Sequence, residues 1–338
     1  MIASTFHGPR DIRLIEVAEL SPAATDVVVR VRAAGICGSD LHEYRAGRQL
    51  YAFEYPRPAQ GHEFAGEVIA VGSSVTDLVP GDRVAVQPMI GCGDCEACRS
   101  GRFSLCPFLE HLGVARPGGF AEQAHVPRAN AFRLPDGVSF DEAALLDCVA
   151  VAVHAVHRVP IPAGASVIVL GAGAIGLAVA QVARAAGAGH VTVVGRHQRS
   201  LELAGALGAD RVVDDAERDA LSEAEIVFQT GGGDGAIAQA ASLLARGGTL
   251  GVVGESFSPA VIDPVRAMEW EQAIVFCWSY DTWAGRSEFG RALDLVASGR
   301  VQLAPTITHR RPLAELAEAY EDAADKARTN SVKVLVVP

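Results

Sequence analysis

Of the seven cysteines in this 338-residue chain, Cys92, Cys95, Cys98 and Cys106 crowd into GCGDCEACRSGRFSLCPF, while Cys37, Cys148 and Cys277 stand apart. The pattern C-x2-C-x2-C-x7-C lets four thiolates converge tetrahedrally on one ion from a single loop. A four-sulfur site has no open position for substrate, so such a zinc holds the loop and leaves catalysis to other residues. Bacterial ferredoxin runs share C-x2-C-x2-C but end on x3, which sets iron–sulfur ligation behind zinc. Clustered thiols in a chain expected to lack a secretory leader also favour metal over disulfides.

A second chemistry-bearing segment is VIVLGAGAIGLAVAQVARAAGA, which places Gly171, Gly173 and Gly176, with Ala174 and Ile175 between them, after an apolar strand and at the opening of a helix. The first glycine makes the tight turn, the second lets backbone approach a pyrophosphate, and the third lets helix pack on strand. Free N–H groups at the helix start then hold the phosphates. The alternative is a glycine-rich packing turn without a ligand, but the strand–turn–helix context favours a dinucleotide.

The end of the next strand selects the cofactor, since an acidic residue there takes the ribose 2′-hydroxyl of NAD. Here the segment reads VTVVGRHQRS: Gly195 holds the acidic position, Arg196, His197 and Arg199 follow, and no carboxylate comes before Glu202. A small residue leaves room for a 2′-phosphate and guanidinium groups match it, so NADP is expected ahead of NAD. The bland reading makes these basic residues a solvated helix start.

The elements that must position these groups follow from periodicity. From Asp26 to about Gln87, short β-branched runs such as VVVRVRAAG, FAGEVIAVG and DRVAVQP alternate with glycine and a Pro80-Gly81-Asp82 turn, which predicts an antiparallel, barrel-like region. From Ala165, apolar strands alternate with alanine-rich helices through VIVLG, HVTVVG, AEIVFQT, TLGVVG and AIVFCWS, the order of a parallel doubly wound sheet. The final run VKVLVVP is expected to return to the first domain. The boundaries read as 1–152, 153–283 and 284–338.

A hydrophobic content of 49% over 338 residues supports two cores, and 40 acidic against 29 basic residues, net charge -11, disfavour nucleic acid as a partner. No leader or apolar run long enough for a bilayer is apparent, so a soluble, cytoplasmic protein without membrane partners is expected.

Three dispersed residues remain: Cys37 in GICGSDLH, His62 in GHEFAGEV and Asp147 in ALLDCVAVAVHAV. Read singly, they are a small buried hydrophobe, a turn residue and a helix cap. Taken in order with the four-cysteine loop, GGFAE at 118–122 and the glycine motif, they resemble the zinc-dependent medium-chain dehydrogenase/reductase superfamily, in its sorbitol and threonine dehydrogenase branch. The likeness spans essentially the whole chain. It implies an α/β protein with a GroES-like β-barrel catalytic domain and an inserted Rossmann domain, carrying one catalytic and one structural zinc.

By motif match the resemblance makes Cys37, His62 and Asp147 ligands of the catalytic zinc. Glu63 becomes a fourth or exchanging ligand or a supporting partner. Ser39 and His42 match the family's proton relay. Some members use cysteine as the third ligand, which raises Cys148, but Asp147 lies seven residues before His154, the spacing of the acidic branch. The implied reaction is hydride transfer between a secondary alcohol or polyol and NAD(P), with zinc polarising the oxygen. Sugar alcohols, cyclitols and amino alcohols are the small-molecule substrates considered, with Glu43, Tyr44, Phe53 and Trp278 as candidate pocket residues.

An NAD-dependent polyol dehydrogenase and a zinc-binding protein without redox chemistry are the alternatives. A zinc-free quinone or enoyl reductase would lack the Cys37, His62 and four-cysteine elements. A homodimer or homotetramer is implied, with AIVFCWS as a possible assembly edge.

Overall fold

The run DVVVRVRAAG exposes only Arg30 and Arg32, so both faces of the strand Asp26–Gly35 are covered, as befits a central strand. In the computed structural model, which describes residues 1–46 and 55–338, this strand pairs antiparallel with Glu63–Val71, Gln123–Pro127 and Lys333–Val337. Phe53 falls outside the described residues. The sheet is completed by Arg83–Val86, Ala131–Arg133 and Ile307–Pro312. Its interior is a cluster containing Val27, Val29, Val31, Phe64, Val84, Phe120 and Tyr320.

Two compact units divide the chain, Met1–Asp147 with Ile307–Pro338, and Cys148–Thr306. The C-terminal run adds the strand Lys333–Val337 to the first unit, in register Leu335 to Gly35. The return begins at Ile307 and not at 284, because the helix Glu288–Ala297 buries Phe289, Ala292 and Val296 in the second unit.

The second unit is a six-stranded, wholly parallel sheet in the order Arg211–Asp214, His190–Gly195, Ser166–Leu170, Ala224–Gln229, Leu244–Val252, Ala273–Phe276. That order reverses direction beside the strand Ser166–Leu170, and a Rossmann-type sheet binds its ligand at the carboxyl ends of the strands flanking such a reversal. The first unit is GroES-like and the second Rossmann-like.

Glu288 ties the last helix to the unit's first. It is fully buried, its carboxylate accepts from Nδ1 of His154 at 2.8 Å and of His157 at 2.7 Å, and it takes the backbone N–H of Asp281 at 2.7 Å. Burial pushes its pKa up, but these donors outweigh burial and hold it at about 2. A depressed carboxylate pKa stabilises the fold above the ordinary value near 4.5, and that contribution fades as pH falls toward 2. The shift corresponds to about 3 kcal/mol. Glu288→Gln should lower the stability of the second unit by roughly that amount at pH 7, with the gap from wild type closing below about pH 4. All three tryptophans, Trp270, Trp278 and Trp283, lie in this unit, so denaturant titration followed by their fluorescence reads it directly.

Candidate metal and cofactor sites

Cys37 directly precedes the helix Gly38–Ala46, and its N–H donates to Asp40 Oδ2 at 2.8 Å. A carboxylate three residues into a helix that reaches back to the amide before it satisfies an open donor. His62 follows Gly61, whose φ of +83 and contact with the Phe120 ring (2.8 Å from a would-be Cβ) leave room for no side chain. One ligand atom each from Cys37, His62 and Glu63 lie within 4.8 Å of one another.

Asp40 also faces His62, its Oδ1 lying 3.6 Å from Nδ1, and both residues are buried. Burial disfavours the His62 cation, yet Asp40 and Cys37 overcome it and raise its pKa well above the ordinary value. Anionic groups crowded around a buried imidazole make a place for a cation. With Nδ1 turned to Asp40, Nε2 is the nitrogen left for a metal.

Glu63 is engaged on its other side. Lys333 Nζ donates to its Oε1 at 2.7 Å and to the Ile36 carbonyl at 3.0 Å, and both side chains are buried. Gly35 makes the space, since a Cβ there would stand 2.3 Å from Glu63 Oε2 and 3.2 Å from Lys333 Cε. A carboxylate has about four lone-pair positions, so Glu63 can accept from Lys333 and still face Cys37 and His62.

Asp147 does not join this group. It sits half-buried in the first turn of the helix Leu146–Arg158, where the chain leaves the first unit, and the neighbouring carboxylate to Cys37 and His62 is Glu63. Cys148 is buried beside it. Ser39 and His42 are both half-buried and three residues apart on the helix Gly38–Ala46, hence on one face.

The four loop cysteines converge, their sulfurs lying within 4.8 Å of one another. Backbone N–H groups point at them: Cys95 N to Cys92 Sγ, Cys98 N to Cys95 Sγ and Cys92 N to Cys106 Sγ, each 3.4 Å. The backbone N–H groups of Cys95 and Asp94 lower Cys92 to about 7, while burial pushes Cys98 up to about 12. Four sulfurs share one small volume with N–H dipoles aimed inward, which is the environment of a four-thiolate ion site.

In the Rossmann-like unit each glycine of the motif meets a distinct demand. Gly171 turns at φ +115 with a would-be Cβ 2.6 Å from the Gly231 amide, and one at Gly176 would lie 1.7 Å from the Gly171 carbonyl oxygen. Gly173 precedes the helix Ala174–Ala185 with open space around it and no side-chain cap, so the first-turn amides stay available to an anion.

At the end of the next strand, a Cβ on Gly195 would lie 2.6 Å from that of Ala172, so the strand end presses on the glycine turn. Arg196 is 71% exposed in its side chain, and its Nε donates to Asp215 Oδ2 at 2.8 Å. Arg218 donates to the other oxygen of Asp215 at 2.5 Å. Arg199 is more loosely set, 3.6 Å from Glu202.

The pocket candidates fare differently. Glu43 is buried, accepting from Arg57 Nη1 and Gln60 Nε2 at 2.8 Å each, so its carboxylate serves this internal network. Tyr44 is buried and donates to Glu321 at 2.7 Å. Trp278 is 39% exposed in the second unit. Sequence reading missed Asp40, Lys333, Asp215 and Arg218. Only Asp40, three residues after Cys37, carried a local signal.

The family description "Alcohol dehydrogenase GroES-like domain" matches residues 23–136, and "Zinc-binding dehydrogenase" matches residues 174–298. Sorbitol dehydrogenase of Bacillus subtilis is 32% identical to this chain over 352 residues, covering 100% of it and 97% of that protein. The chain belongs to the zinc-dependent alcohol dehydrogenases. Among solved structures, a protein of Sinorhizobium meliloti bound to NADP is similar at a TM-score of 0.90 and 32% identity, covering 100% of this chain and 99% of that one. An alcohol dehydrogenase of Escherichia coli complexed with NADH gives 0.90 and 28%, with the same coverage.

In this dehydrogenase the GroES-like match holds Cys37, His62, Glu63 and the four loop cysteines, and the second match holds Gly176, Gly195 and Arg196. Among the described residues, no helix is long and apolar enough to cross a membrane.

Proposed function

We propose that this enzyme oxidises a secondary alcohol in a polyhydroxylated or amino-alcohol substrate, and reduces the matching carbonyl, with NADP preferred over NAD. The cofactor choice is carried by one observation: the strand end at Gly195 is followed by two guanidiniums, Arg196 and Arg218, whose neighbouring carboxylate, Asp215, is already bonded to both. That trio carries two cations against one carboxylate, a net positive charge that suits a 2′-phosphate.

Cys37, His62 and Glu63 are proposed as the catalytic metal's protein ligands, with Asp147 outside the set. Convergence within 4.8 Å supports this choice, as does a donor set of thiolate, imidazole and carboxylate that suits zinc. When bound, zinc supplies Lewis acidity toward an alcohol oxygen and the nicotinamide accepts the hydride. Asp40 orients His62, and Lys333 holds Glu63. Ser39 and His42, on one face of the same helix, pass the alcohol's proton toward solvent. The four loop cysteines hold the second, structural zinc.

Paired fluorescence titration with NADPH and NADH tests the cofactor reading. Wild type should bind NADPH more tightly, and Arg196→Ala should weaken NADPH about 10-fold while leaving NADH nearly unchanged, the value of one charge-assisted hydrogen bond. Equal or tighter NADH binding would make Arg196 and Arg199 ordinary surface residues. Failure to bind either would favour the zinc protein without redox chemistry.

A homodimer or larger assembly through the sheet edge is also proposed. The edge strand Ala273–Phe276 exposes Phe276 at 67%, and the helix that precedes it in sequence, Pro264–Glu269, exposes Met268 at 72% and Val265 at 57%. An apolar patch on an unpaired strand edge is an association surface. Light scattering should report a dimer or tetramer for wild type and a smaller species for Phe276→Asp. A monomeric wild type would contradict the assembly.

A further inference from the structure

The segment after the four-cysteine loop is pressed onto the metal group by its glycines. A Cβ on Gly113 would lie 2.5 Å from the Gly61 carbonyl carbon and 2.8 Å from the His62 amide, and one on Gly118 would lie 2.3 Å from the Gly61 oxygen. Gly119 N donates to the Gly61 carbonyl at 2.7 Å. His111 opens this segment, on the short strand Glu110–His111 paired to Met89–Ile90. Its carbonyl accepts the N–H groups of Val114, Ala115 and Arg116, at 3.1, 2.9 and 3.1 Å. The imidazole therefore sits on a fixed turn, edge-on to the His62 ring with centroids 5.1 Å apart.

Its tautomer follows from one contact. Nδ1 lies 3.0 Å from the Leu112 carbonyl oxygen, which only accepts, so Nδ1 carries the proton and Nε2 the lone pair. Among the described residues, Nε2 has no hydrogen-bond partner. A fixed acceptor without a partner thus borders His62, which converges with Cys37 and Glu63.

We propose that His111 is a specificity-determining residue whose Nε2 accepts a hydrogen bond from a donor, hydroxyl or ammonium, on the carbon next to the reacting carbinol. A vicinal carboxylate or phosphate has no such proton at neutral pH, so the substrate class narrows to vicinal diols and amino alcohols. This rests on the dehydrogenase reading above.

The test compares butane-2,3-diol, 3-aminobutan-2-ol and butan-2-ol in wild type, His111→Phe and His111→Gln, with zinc content measured for each. The expected result is a loss of kcat/KM on His111→Phe of about 10- to 100-fold for whichever vicinal donor wild type prefers, as expected when a hydrogen bond to a built partner is lost, with little change for butan-2-ol. His111→Gln, which keeps an acceptor, should recover part of the loss, and zinc content should stay constant. The diol and amino-alcohol arms show which donor is read. An equal fall on butan-2-ol, or loss of zinc, overturns the proposal and leaves the dehydrogenase reading standing. No turnover of any of the three by wild type overturns both.

Discussion

Cys37→Ser is expected to lower alcohol turnover by about 10³-fold or more while the four-cysteine loop keeps its zinc. Lewis-acid stabilisation is worth several kcal/mol, and each 1.36 kcal/mol is tenfold in rate. Serine presents a hard hydroxyl oxygen in place of sulfur, so the donor set loses its soft ligand. The Asp40 carboxylate still accepts the residue-37 N–H, because that bond uses backbone, so the helix Gly38–Ala46 should form as before. Steady-state rates with NADP⁺, beside circular dichroism of the same sample, separate loss of chemistry from loss of fold. A variant that retains a tenth of wild-type turnover would remove Cys37 from the metal.

Lys333→Met should cost about 3–5 kcal/mol of stability, the usual result of leaving a buried ion without its partner. Lys333 and Glu63 are 4% and 1% exposed, and the ammonium also satisfies the Ile36 carbonyl. The Glu63 carboxylate is then left buried without its ammonium partner. Lys333→Met combined with Glu63→Gln should recover much of the stability without restoring activity. Denaturant unfolding at pH 8 checks the loss, and a Lys333→Met protein as stable as wild type would refute the pairing.

The four-cysteine loop and the glycine turn were legible because each is local. Their partners lie within a few residues, and the spacing encodes both the convergence of four sulfurs and the open helix start at Gly173. Residues supplied from afar left no such trace. Lys333 reaches Glu63 across 270 positions of sequence, through a strand that pairs with Asp26–Gly35. Asp215 reaches Arg196 because Asp214 is in parallel register with Gly195, a neighbourhood set by sheet order.

The helix Glu288–Ala297 lies beyond the boundary read at 283, yet it belongs to the second unit, tied there by Glu288 meeting two histidines more than 130 residues earlier. Asp147 was expected at the metal from motif position alone, and the carboxylate that converges there is the one adjacent in sequence to His62. Glu43 was one candidate for the substrate pocket, as a charged residue near Cys37. Its two oxygens instead bond Arg57 and Gln60.

Zinc content per chain, measured on wild type, Cys37→Ser, Glu63→Gln and Asp147→Asn purified side by side, tests the two-site account most directly. Two converging donor groups predict two zinc ions in wild type and in Asp147→Asn, and one in Cys37→Ser and Glu63→Gln. One zinc in wild type, or two retained by Cys37→Ser, would contradict a metal at Cys37 and His62, and loss of zinc from Asp147→Asn but not from Glu63→Gln would return the third ligand to Asp147.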